Sequence, residues 1–204
     1  LIIFKNMAVG KLSPRQKMIN LMYLVFIAML ALNMSKEVLS AFGLMNEKFD
    51  AANLSAESMN ASMLQTLDKK AGEDAHFLQA ASDAKKVAEI SKNFYEFLGT
   101  LKSDATEGVE VDEETGKLPY ETMDNSSAID EGWFEGDGYS AKGEEIVAAF
   151  SKYVADMKAA VGNNNKLKGV IDEITTKFNT SDIKDKEGVT KKYLQYHFKE
   201  FPAI

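Results

Sequence analysis

Residues 18–35, MINLMYLVFIAMLALNMS, run for eighteen positions without a charge, and from Lys36 onward apolar residues recur at helical spacing among charged ones. Eighteen residues at about 1.5 Å each make roughly 27 Å of helix, close to the ~30 Å hydrocarbon core of a bilayer. A buried core helix rarely runs that far uncharged. The apolar part of a cleavable leader is usually shorter and ends at a small-residue cleavage site, whereas LNMSKEVLSAFGLM keeps helical spacing straight past the run. The pattern predicts an uncleaved membrane helix over 18–35. Ser13 suits its N-cap and Pro14 its first turn, where a missing N–H costs nothing. Arg15, Met22, Phe26 and Asn33 then fall near one face.

Counted in sevens, Leu21, Ala28, Ser35, Phe42, Phe49, Ala56 and Met63 alternate with Leu24, Ala31, Val38, Met45, Ala52 and Met59. These are the a and d positions of a coiled-coil seam. Beyond Lys36 the same phase separates them from Glu37, Asn46, Glu47, Lys48, Asp50 and Asn53, so the register crosses the membrane boundary unbroken. Ala28 and Ala31 would let two backbones approach closely in lipid. From periodicity alone, a second copy and the rest of this chain are equally able to cover the stripe beyond the membrane.

The remainder reads as helices. Phe77, Ala81, Ala84, Ala88, Phe94 and Leu98 give one over 73–102, and Ile146, Val147, Phe150, Val154 and Met157 give another from Ser140 to the GNNN stretch. Residues 165–178 and 189–201 give two shorter ones. Between them 103–139 is acidic and glycine-rich; alternation at GVEV and a turn at ETGK predict a short hairpin in an otherwise solvated loop. With no helical seam, this insertion is expected to be dispensable for assembly in the membrane. Its Trp133 and Phe134 are expected to plug the bundle. The predicted fold is all-α: a cytoplasmic N-terminus at 1–17, a transmembrane helix at 18–35, and an external helical domain at 36–204 with the insertion at 103–139.

Charge orients this arrangement. The chain carries −7 overall, and Lys5, Lys11, Arg15 and Lys17 give its first seventeen residues +4, leaving −11 for the rest. The positive-inside rule puts the basic end in the cytoplasm and the acidic body outside. An acidic body argues against nucleic acid, whose binding needs Lys and Arg to displace counterions. With no cysteine there is neither a disulfide framework nor a thiolate site. The insertion's carboxylates (Asp112, Glu113, Glu114, Asp124, Asp130, Glu131, Glu135, Asp137) do not follow a calcium-loop spacing. His76 and His197 lie on different predicted helices. No catalytic, cofactor-binding or metal-binding residues are assigned, and no enzyme activity is expected. From its residues alone Arg15 is a topology anchor at the edge of the span.

The block KLSPRQKMINLMYLVFIAMLALNMSKEVLSAFGLMNEKF, residues 11–49, closely resembles the start of GldM/PorM, the inner-membrane motor proteins of Bacteroidetes gliding motility and type IX secretion; FLGTLK and YLQYHFKEFPAI suit the family's first periplasmic domain. The resemblance implies that Met7 is the natural start, with LIIFKN an upstream extension, and that immunoglobulin-like periplasmic domains follow Ile204 in the whole protein. It implies a homodimer of rotor subunits whose transmembrane helices sit inside a pentamer of GldL or PorL, an assembly similar to MotAB and ExbBD. Such a motor is driven by proton motive force and transmits rotation to further periplasmic secretion and gliding components. It changes the reading of Arg15: inside a protein ring its guanidinium needs a carboxylate partner to offset desolvation, and an intramembrane glutamate of GldL is the expected one. The seam Leu21, Leu24, Ala28, Ala31, Val38, Phe42, Met45 and Phe49 is then the dimer contact. An alternative is a single-span membrane-anchored sensor with a ligand pocket in its periplasmic bundle, although only about ten natural residues would precede the span and leave no room for an output domain. A tethered hydrolase lacks candidate residues.

Overall fold

The structure, a computed structural model, describes residues 13–123, 126–162 and 164–201, excluding the side chains of 30–35 and 122. The first helix, α1, runs from Pro14 to Glu73, about 90 Å at 1.5 Å per residue. Its start is set locally: Pro14 stands in the first turn, and Ser13 Oγ accepts the Gln16 N–H at 3.2 Å. Its end is set by Asp74, whose backbone is extended (φ −141°, ψ 119°) and whose carboxylate caps the next turn by accepting the His76 N–H at 2.9 Å. The second helix therefore begins later than the periodicity predicts. After a 3-10 turn at Ala75–Phe77, α2 spans Leu78–Ala105 and returns antiparallel along α1. Ion pairs between the two, Lys85 with Asp68 and Lys102 with Asp50, are both 2.9 Å long.

Both buried hydrophobic clusters are built from residues beyond α1. The larger cluster joins Leu101 of α2, Ile129 and Trp133 of α3 (Ser127–Trp133), Phe134, Ile146 of α4 (Ala141–Val161) and Leu194 of α6 (Tyr193–Phe198). The smaller one joins Met157 and Val161 of α4 to Ile171 of α5 (Lys168–Lys177). Aromatic rings tie the clusters together: Phe94 stacks on Tyr153 at 4.4 Å and meets Phe150 and Phe178 edge-on. Two minimal antiparallel hairpins finish the body, β1 (Phe134–Glu135) with β2 (Gly138–Tyr139) and β3 (Ile183–Lys184) with β4 (Thr190–Lys191).

The acidic insertion departs from expectation. GVEV forms no strand; Val111 is exposed, and the ETGK region is a turn in which the Asp112 carboxylate accepts the N–H and hydroxyl of Thr115, both at 2.7 Å. These bonds hold the Asp112 carboxyl below the usual range. The hairpin forms instead at 134–139, where Phe134 and Tyr139 face each other across the strands. Alternation was misleading because a strand needs a partner, and α3 with its hairpin buries Ile129, Trp133 and Phe134 whereas GVEV has no strand beside it and leaves Val111 exposed. Ile129, Trp133 and Phe134 are core, so the second half of the insertion is not a solvated loop. Gly143 permits this packing, since a Cβ there would lie 2.3 Å from the Trp133 carbonyl oxygen. Near the C-terminus, the helix predicted over 189–201 is shorter because Thr190 and Lys191 pair as β4.

Among the described residues no helix is long and apolar enough to cross a membrane. The expected span, 18–35, extends past Met29 into residues 30–35, whose side chains lie outside the described residues.

Candidate functional site

Arg15 and the seam residues assigned from the sequence all lie on α1, and the structure sorts its circumference into two sides. Leu39 is 7% exposed, whereas Val38, Phe42, Met45 and Phe49 are 51%, 53%, 51% and 61% exposed. At about 100° per residue, the body-facing positions Leu39, Gly43, Asn46 and Asp50, each one place after a stripe residue, centre roughly 100° from the Val38–Phe49 stripe. The stripe that periodicity marked as a seam is thus left uncovered by the chain's own body. Leu21, Leu24 and Ala28 are exposed as well, as are Met59 and Met63 farther along; the Ala31 side chain lies outside the described residues.

The character of α1 changes along its length. Between Met18 and Met29 the large exposed apolar residues, among them Met18, Met22, Tyr23, Val25 and Phe26, point in all directions around the axis. Past Lys36 the exposed apolar residues concentrate on the seam, with Leu44 and Leu54 outside it. Arg15 sits exposed in the first turn, and among the described residues no carboxylate pairs with it. Its neighbour Gln16 reaches Asn20 at 3.4 Å.

Roughly a quarter turn around from the stripe, α1 meets the segment between α2 and α3. Lys117 Nζ donates to Glu47 Oε2 at 2.7 Å, and that bond raises the lysine's pKa above the usual range. Tyr120 lies against Gly43, and Lys102 reaches both Asp50 (2.9 Å) and Asn46 (3.5 Å). Periodicity did not single out Gly43 or Tyr120. The available signal was a lone glycine inside a strongly helical pattern, a residue that costs about 1 kcal/mol against alanine there.

The sequence matches the family described as the GldM N-terminal domain over residues 37–204. The chain belongs to that family. Its match begins just past the uncharged run and takes in all of α2 to α6 with the outer part of α1. The GldM family is a motor or structural component of gliding motility and type IX secretion, and is associated with the membrane. No curated protein matches the chain. Of the GldM-type features expected here, the helical domain is present; Arg15 and the residues Leu21 to Ala31 precede the matched region. The histidines stay apart: His76 is at the exposed α1–α2 tip, 2.8 Å from Asp74, and His197 packs against Tyr193 and Tyr196. An open groove lined by Asp137, Asp182, Lys191, Lys192, Lys199 and Glu200 carries both signs of charge at its rim.

Proposed function

We propose that the chain is the rotor and shaft subunit of a GldLM-type inner-membrane motor: a homodimer, anchored by residues 18–35 with its N-terminus in the cytoplasm, that turns inside a pentameric GldL/PorL-type partner under proton motive force. Its periplasmic domain passes the rotation to further secretion and gliding components. The observation that carries this reading is that one unbroken helix, Pro14–Glu73, goes from a stretch with apolar side chains on every side to one with a principal apolar stripe, and the body covers neither. A helix apolar all round suits lipid or a surrounding ring of helices. A stripe in heptad register suits a second copy of itself.

Arg15 is placed where it can exchange partners. With one guanidinium on each of two helices facing five intramembrane glutamates, not every acid is paired at once. Protonation of a free glutamate from the periplasmic side removes its charge, and release of that proton to the cytoplasm restores the attraction and draws the dimer to the next position. An arginine fits the role better than a lysine, because its planar fork holds a carboxylate through two hydrogen bonds. Lys11 and Lys17 supply the positive-inside signal independently.

Arg15→Ala is therefore expected to leave membrane levels and co-purification of the partner normal while abolishing gliding and secretion. Normal gliding at normal expression would remove Arg15 from the mechanism. In the same background, Phe42→Cys is expected to crosslink between chains and Asn46→Cys is not, because Asn46 faces Lys102 of its own chain. Equal crosslinking from both positions would mean the seam is assigned to the wrong face.

A further inference from the structure

A shaft that turns must be fixed to what it turns, and the way α1 is held to the body is unusual. Neither core cluster contains a residue of α1, and Leu39 is the buried apolar side chain that its described residues supply. Along 51–63 every side chain is exposed. The helix is tied at two places. One is the hairpin end, through Asp68 and Lys85 and through Lys70 over the Phe77 ring. The other is the stretch from Leu39 to Asp50, where the segment joining α2 to α3 crosses it.

At the second place the ionic ties are two half-exposed pairs, Lys102 with Asp50 and Lys117 with Glu47. Surface ion pairs contribute about 0–1 kcal/mol each. Pairs of this kind re-form after a slip around the circumference and resist turning weakly. The Tyr120 ring is different. A Cβ on Gly43 would lie 2.1 Å from its Cγ and Cδ2 and 2.6 Å from its Cδ1, so the ring occupies the place where any other residue would carry its side chain. Glycine here opposes helix propensity, and the close approach of the ring gives it a reason. Tyr120 also belongs to a segment that joins the body at both ends. Its segment leaves α2 just past Leu101 and enters α3 just before Ile129, both core residues, and Met123 is itself buried. A turn of α1 relative to the body must therefore drive the walls of the Gly43 notch against a ring whose segment is continuous with the body on both sides.

We propose that Tyr120 seated on Gly43 is the joint through which rotation of α1 is passed to the periplasmic body, the surrounding ion pairs steadying it. The joint rests on the shaft reading above for its purpose, and on the fit of ring to notch for its place. Tyr120 is a positioning residue, and its ring, not its hydroxyl, makes the contact.

The test uses the whole protein in its membrane complex. Because the chain has no cysteine, spin labels introduced through Glu57→Cys on α1 and Lys158→Cys on α4 report the distance between shaft and body; labelled protein diluted with unlabelled chains isolates the distance within one chain. In Tyr120→Ala the distance distribution is expected to broaden and gliding to be lost while the partner still co-purifies. Gly43→Ala, which expels the ring from the other side, is expected to do the same, and Tyr120→Phe is expected to change neither readout. An unchanged distribution in Tyr120→Ala overturns the joint whatever happens to gliding, and a broadened one with normal gliding overturns its role in transmission. Arg15→Ala measured alongside separates the two readings: if those cells glide normally while Tyr120→Ala broadens the distribution, the shaft reading fails and the attachment point stands.

Discussion

Phenylalanine behaves in opposite ways in α1 and in the body. Phe42 and Phe49 leave more than half of their surface exposed, whereas Phe134 is 7% exposed and Phe94 and Phe150 sit inside a ring cluster with Tyr153 and Phe178. Both sets follow a helical period, and both would gain about 1.5–3 kcal/mol per side chain from full burial. The body collects that gain within one chain by folding α2 to α6 around two clusters. The long helix cannot, because its body-facing side is filled by Gly43, Asn46, Glu47 and Asp50, and its apolar side faces away. An apolar stripe of that length, left exposed by its own domain, points to a partner rather than to a core.

That contrast breaks most visibly in the body. Trp133→Ala removes a core side chain packed edge-on against Phe198 and is expected to cost about 3–5 kcal/mol, read as a loss of denaturant stability of the periplasmic domain. A loss under about 1 kcal/mol would place Trp133 among surface residues. It would also restore the reading of 103–139 as a solvated loop.

On the shaft the same kind of truncation is expected to do the reverse. Phe42→Ala and Phe49→Ala are predicted to shift the domain's own stability by no more than about 0.5 kcal/mol in either direction, while the paired variant weakens chain-to-chain association measured by sedimentation or crosslinking. If the double variant unfolds the domain and leaves association intact, the stripe belongs to the monomer's packing and the comparison collapses.

The smallest effect lies where the two regions meet. Lys117 has its pKa raised by Glu47, so its contribution is complete below the unfolded lysine value and is lost as pH rises through the higher folded one. Contact between α1 and the crossing segment, followed by hydrogen exchange near Gly43, is expected to persist to about pH 10 and to weaken above it. Lys117→Met is expected to remove that alkaline step. A step that survives Lys117→Met would have to come from another group.

Much of α1 was readable without a fold. Ser13 and Pro14 mark its start, the heptad marks the stripe, and the basic first seventeen residues against an acidic remainder set the expected orientation, because capping, periodicity and charge depend on near neighbours in sequence. The start of α4 was legible for the same reason, with Ser140 Oγ accepting the Gly143 N–H at 3.2 Å. The alternation of GVEV pointed the other way, since a strand exists only when another strand lies beside it. Which residues pair at 134–139, which of the apolar positions from Leu101 to Leu194 converge, and which side of α1 meets the body are matters of contact between segments tens of residues apart. Gly43 shows the division most clearly: its position inside a helix is plain from the chain, but the Tyr120 ring that requires it comes from a segment 77 residues later, and only the folded arrangement brings the two together.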